Sequence, residues 1–188
     1  GHSIAFRLKQ DAPQLKIAVL GDPVNSLQAS RAAAGMLSPF CECDRADRFF
    51  DFCRESLNKF PEFLKELVSV SEVPVHFSSE GSLMPSSSYQ ETWEERKAFF
   101  ASEDVPHEIW SAEKVRQKAP YLSEDCGEVM WVREGQVNNR QMHDALMRAS
   151  KNMGIRVLEA NVSGFIRQDS TIASAVTDSG NIDGEQFV

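Results

Sequence analysis

The chain has 188 residues, 41% of them hydrophobic, and its 20 Lys+Arg against 28 Asp+Glu leave a net charge of −8. That composition supports a packed core rather than disorder, and the acidic balance argues against nucleic acid as a partner, because phosphate binding needs a basic surface. No apolar run nears the ~20 residues that span a bilayer, and none reads as a signal peptide, so no membrane partner is expected.

Ile4, Ala5, Leu8 and Ala12 recur at helical spacing, so residues 1–11 read as a helix closed by Asp11 and Pro13. Residues 16–20 (KIAVL) form a short buried strand, and Gly21, Asp22 and Pro23 turn the chain out of it. Residues 30–40 read SRAAAGMLSPF, and the part from 32 to 37 is long enough for a helical turn or two. From 44 to 71 the apolar positions Phe49, Cys53, Leu57, Phe60, Leu64 and Leu67 trace a long amphipathic helix, which Pro61 should kink or split. Residues 75–78 and 82–85, separated by Glu80 and Gly81, read as a strand pair, and 91–101 as a charged surface helix.

Residues 107–110 form a short strand, after which Ser111 caps a helix ended by Pro120. Residues 127–133 are strand-like. Asn138 or Asn139 caps a helix through Met142, Leu146, Ala149 and Met153, and Gly154 supplies its left-handed end. Residues 155–158, 162–167, 171–177 and 185–188 read as short strands. The order implies an α/β layer interrupted by an insertion.

The four cysteines, Cys41, Cys43, Cys53 and Cys126, lack CxxC spacing and read as reduced thiols of a cytoplasmic protein. The chain enters a helix directly at Gly1 and stops within a strand-like segment, so it is expected to be a piece of a longer protein. Gly1 suits the third glycine of a dinucleotide fingerprint, which stands where helix and strand pack closely, and suits an ordinary αβ unit equally. An acid for ribose hydroxyls is expected at the end of the second strand. That position holds Gly21, with Asp22 one place later, and a plain turn explains both residues as well. His76, His107 and His143 fall on separate elements and read as structural or surface residues, and Trp93, Trp110 and Trp131 as core.

SRAAAGMLSPF resembles the flavin-contacting segment of the D-amino acid oxidase superfamily, above all the glycine oxidase branch of thiamine biosynthesis. The likeness continues through residues 41–44 (CECD) and 47–52 (DRFFDF), an acidic and aromatic run. Residues 116–122 (RQKAPYL) and 134–138 (EGQVN) are similar to the family's "EP-L" and "DGQVDP" stretches, and the helix from 140 to 153 with GIRV at 154–157 is similar to the helix and strand that return to the adenine side. The resemblance covers essentially the whole chain.

It implies a Rossmann-like FAD-binding domain, incomplete here, with an inserted α+β substrate-domain portion. The FAD-binding part spans 1–72 and 138–188, and the substrate-domain portion 73–137. It further implies FAD as cofactor, a small amino acid or amine as substrate, and a homo-oligomer in the full-length protein. Residue by residue, Gly1 falls on the last fingerprint glycine, Asp22 beside the ribose position, and Ala29 and Ser30 on the pyrophosphate region. Ala34, Gly35 and Met36 fall where backbone faces the isoalloxazine, and Val162 where backbone meets the adenine. No residue of the chain is assigned as catalytic and none as a metal ligand. The expected activity is oxidation of a C–N bond to an imine and then an oxo acid, with O2 giving H2O2. The substrate-clamping arginine of the family has no counterpart here, so the 188-residue chain is expected to be inactive alone. The alternatives are a dehydrogenase that passes electrons to a quinone, the oxidase-like module of a tRNA-modifying enzyme, or a non-catalytic binding module that keeps the fold.

Overall fold

The computed structural model describes residues 1–21 and 29–188. In chain order its elements begin with α1 (His2–Asp11), β1 (Ala18–Gly21), α2 (Ala29–Ala32), β2 (Met36–Leu37), α3 (Pro39–Glu42) and α4 (Arg48–Ser71). They continue with β3 (Phe77–Ser78), β4 (Ser82–Pro85), α5 (Trp93–Ser102), β5 (His107–Trp110), α6 (Ala112–Lys118), β6 (Val129–Val132) and β7 (Gly135–Val137). The last are α7 (Asn139–Asn152), β8 (Arg156–Glu159), β9 (Val162–Gln168), β10 (Thr171–Thr177) and β11 (Gly180–Asp183). The chain forms two compact units, one of Gly1–Ala33, Glu66–Pro74 and Asn139–Val188, the other of Ala34–Lys65 and Val75–Asn138. The sequence boundaries fall at 72/73 and 137/138.

In the first unit β1 and β8 lie parallel, with Ala18 opposite Arg156 and Gly21 opposite Glu159. Parallel neighbours need a crossover, and α7 leads into β8 as that crossover's last helix. Buried Ala5 and Phe6 of α1 pack toward α7, whose Ala145, Leu146, Ala149 and Ser150 are buried. Arg7 of α1 pairs with Glu66 at 3.0 Å. As the sequence predicts, α7 stops at a glycine: Gly154 has φ +69°, its N–H donates to the Lys151 carbonyl, and the Ile155 N–H donates to that of Ser150. This paired closure satisfies two carbonyls that a helix end leaves open. β9, β10 and β11 form an antiparallel meander.

The second unit has two three-stranded antiparallel sheets, ordered β2-β7-β3 and β4-β6-β5. Phe40, Phe50, Met84, Trp93, Phe100 and Met130 form the heart of its core. The Trp93 indole N–H, buried as expected, donates to Glu128 at 2.8 Å; Trp110 and Trp131 are half-buried.

Several local expectations are corrected. Residues 75–78 and 82–85 do not pair with each other: β3 pairs with β7 and β4 with β6. The Trp131 indole N–H donates to the Glu80 carbonyl at 2.6 Å, which ties the connecting turn to β6 instead of closing a hairpin. The segment from 32 to 37 is not a helical turn; Met36–Leu37 is a strand and the short helix precedes it at Ala29–Ala32. α4 is not split at Pro61: the proline lies inside the helix, on its exposed side. Its buried stripe starts at Phe50, fully buried, while Phe49 is 65% exposed. The last strand is β11, Gly180–Asp183, and not residues 185–188.

Candidate cofactor site

A cleft of about 350 Å³ opens in the first unit. Gly1, His2 and Ser3 at the start of α1 form one wall, and Val19, Leu20 and Gly21 at the carboxyl end of β1 form the next. α7 supplies Asn139, Met142, His143, Leu146 and Met147, positions i, i+3, i+4, i+7 and i+8 of one helical face. Ser30 and Val157 complete the lining.

The electrostatics of the cleft follow from α1. Gly1 stands at its N-cap position and has no side chain to cap the first-turn N–H groups. Uncapped amides and the positive end of the helix dipole favour an anion there. Open α/β sheets bind ligands outside the carboxyl ends of their strands, which is where β1 brings the chain. A Cβ added to Gly1 would meet Val19 Cγ1 at 3.4 Å, an ordinary contact, so the packing of α1 on β1 does not by itself demand glycine. What the missing side chain leaves open is the mouth of the cleft.

The polar groups of the cleft are braced from within the same unit. His2 Nδ1 lies 2.9 Å from the fully buried Ser150 hydroxyl of α7. The His2 and His143 rings stand edge to face with centroids 6.3 Å apart. Burial, and then the neighbouring His143, hold the His2 imidazole below its ordinary value of 6.5. The Asn139 amide donates to the Ser30 carbonyl and so ties α2 to the start of α7.

Of the sequence-predicted residues, Gly1 and Ser30 line this cleft. Ala29 begins α2 beside it but is exposed and outside the lining, and Val162, 44% exposed, begins β9. Gly21, where a ribose-binding acid is expected, is part of the wall and offers backbone only. Asp22 lies outside the described residues. Sequence reasoning left out His2, Ser3, Asn139, Met142 and His143. The spacing on α7 was the available signal, but it reads equally as a core face.

Ala34, Gly35 and Met36 belong to the second unit. Gly35 has φ +80°, a conformation that L side chains rarely adopt, and its carbonyl accepts from the Val137 N–H at 2.9 Å. Met36 pairs with Gln136 and Leu37 with Gly135 on β7. Just beyond, Glu134 Oε1 accepts from the Phe40 and Cys41 N–H groups at 2.8 and 2.9 Å, fixing the start of α3. Burial, reinforced by the Glu134 carboxylate, pushes the Cys41 thiol well above its ordinary value. Among the described residues no cluster of three or more His, Cys, Asp or Glu could hold a metal ion, and no helix is long and apolar enough to cross a membrane.

The family model of the FAD dependent oxidoreductases (DAO) matches residues 1–188. The chain belongs to this family. It is similar to the bifunctional protein ThiO/ThiG of Synechocystis, 26% identical over 197 residues, which cover 100% of this chain and 27% of that protein. It is 26% identical over 157 residues to the glycine oxidase of Bacillus subtilis, covering 82% of this chain and 42% of the relative. The crystal structure of glycine oxidase from Geobacillus kaustophilus superposes with a TM-score of 0.86 at 20% identity, over 98% of this chain and 50% of that one. The chain thus spans less than half the length of these curated relatives and half of the solved one, and its α/β fold is that of the family's FAD-binding region. FAD is the cofactor of this DAO family. The donor set of the cleft fits its most highly charged part: uncapped first-turn amides, two imidazoles and two serines, with no carboxylate among the described lining residues.

Proposed function

We propose that the protein carrying this chain oxidises the C–N bond of glycine or a similar small amino acid or amine, with O2 as the electron acceptor. For glycine the reaction balances as glycine, O2 and water giving glyoxylate, ammonia and H2O2. The substrate loses two electrons and two protons to become an imine, which water then hydrolyses. The observation that carries the reading is the uncapped, anion-favouring start of α1 beside the end of β1, in a chain matched throughout by the family. The glycine oxidase and ThiO relatives support the substrate class.

When bound, FAD supplies the two-electron acceptor that the substrate's oxidation needs. The protein's part is to hold and orient. The first-turn amides at Gly1 would take the diphosphate, with Ala29 and Ser30 beside it, Asp22 the ribose and the Val162 backbone the adenine. Ala34, Gly35 and Met36 would present backbone to the ring. Residues 32–37 carry no acid or base, which suits a role of close approach. Gly35 at positive φ, hydrogen-bonded to Val137, fixes the path of that backbone without a side chain in the way.

The purified protein loaded with FAD is expected to form H2O2 when given glycine, sarcosine or D-alanine in air. An FAD-loaded protein that forms no peroxide with any of the three contradicts the oxidase reading. Reduction of a dye in place of O2 would assign a dehydrogenase instead.

A further inference from the structure

We propose that His2 is a proton-linked contact for the charged part of the cofactor, so that the cleft takes up a proton as it takes up FAD. The inference rests on reading the cleft as the cofactor site and adds a residue and a regulation to it. His2 is the second residue of the chain, in the first turn of α1, and lines the cleft beside the uncapped amides. Its Nδ1 is fixed on the Ser150 hydroxyl at 2.9 Å. A hydroxyl can donate to a neutral imidazole and accept from a protonated one, so this contact serves both charge states. The ring is held in place without being locked into one of them.

The groups around the ring set the sign of the linkage. His143 of α7 faces it edge-on, with the ring centroids 6.3 Å apart. β1 contributes Val19, Leu20 and Gly21 and β8 contributes Val157, none of them titratable. Among the described residues, the acid next to this pair is Asp144, whose Oδ1 lies 3.9 Å from His143 Nδ1, beyond hydrogen-bond distance. His143 Nδ1 is buried and has no hydrogen-bond partner among the described residues. With no anion bound, a proton on His2 is opposed by burial, by His143 and by the positive end of α1. A diphosphate placed at the helix start reverses that balance, because an opposite charge within ~4–6 Å favours the imidazolium. The diphosphate of FAD is fully ionised near neutrality, so the proton taken up is the protein's. Affinity for FAD therefore strengthens as pH falls through the range in which His2 titrates in the complex.

The test is calorimetric titration of FAD into the apoprotein, in buffers of different ionisation enthalpy. At about pH 6.5 binding is expected to take up roughly half a proton or more, and the Kd there to be roughly threefold or more below its value at about pH 8. In His2→Asn both effects are lost. Because that variant also alters the Ser150 contact, NMR titration of the His2 ring in the unchanged protein gives a second readout, and its midpoint moves up when FAD binds. FAD binding with no proton uptake, uptake unchanged in His2→Asn, or an unmoved midpoint overturns the inference and leaves the cofactor reading standing. Failure to bind FAD at any pH overturns both.

Discussion

Glu134 does more than its place in a sequence motif indicates. It is 2% exposed, one oxygen accepts two backbone N–H groups at the start of α3, and the other has no hydrogen-bond partner among the described residues. Removing a buried acceptor leaves its donors unsatisfied, at roughly 1–3 kcal/mol for each group. Glu134→Ala is therefore expected to cost about 2–6 kcal/mol in urea unfolding, while Glu134→Gln, which keeps an oxygen for the two N–H groups, costs about 1 kcal/mol. Equal midpoints for the two variants would contradict this assignment. The residue was visible in the sequence as part of EGQVN, but its task was not. An acceptor for amides more than ninety residues earlier leaves no local trace.

At the scale of elements, the long helices were legible, while the short helices α2 and α3 and the strand pairings were not. α1, α4 and α7 declare themselves by apolar spacing, and the caps Ser111 and Gly154 act where the sequence places them. The pairing of β3 and β4 was misread because sequence proximity suggests a hairpin, whereas Trp131 and β6 decide it from fifty residues away. β7 escaped notice because three residues of Gly, Gln and Val carry no alternation to read. Pro61 warned of a break, and α4 tolerates it on its exposed side. That tolerance has a cost: a proline inside a helix forfeits a hydrogen bond and strains the preceding turn. Pro61→Ala is expected to stabilise the protein by about 1–3 kcal/mol, seen as a higher thermal midpoint. A lower midpoint would mean that the proline shapes α4 in a way the core requires.

For the whole molecule, a blank stretch of alanine and glycine proved the most specific signal, because its resemblance reaches a family whose model matches every residue of the chain. The site itself was half legible. Gly1 and Ser30 line the cleft, but the α7 face opposite them, with His143 and Asn139, comes together only through the crossover between β1 and β8. Periodicity marks such a face as buried without saying that it borders a cleft. The acidic chain and its anion-favouring cleft are consistent with each other, since the attraction is local: a helix terminus acts over a few ångströms, while surface charge is screened within ~10 Å.

The central claim is that glycine or a close analogue gives up two electrons to FAD held by this protein. The most direct measurement is to mix the FAD-loaded protein anaerobically with glycine, sarcosine or D-alanine and follow the flavin's visible absorption. We predict bleaching with at least one of them, and recovery of the absorption with formation of H2O2 when air is admitted. Absorption unchanged by all three, in protein whose flavin is bleached by dithionite, would contradict the account.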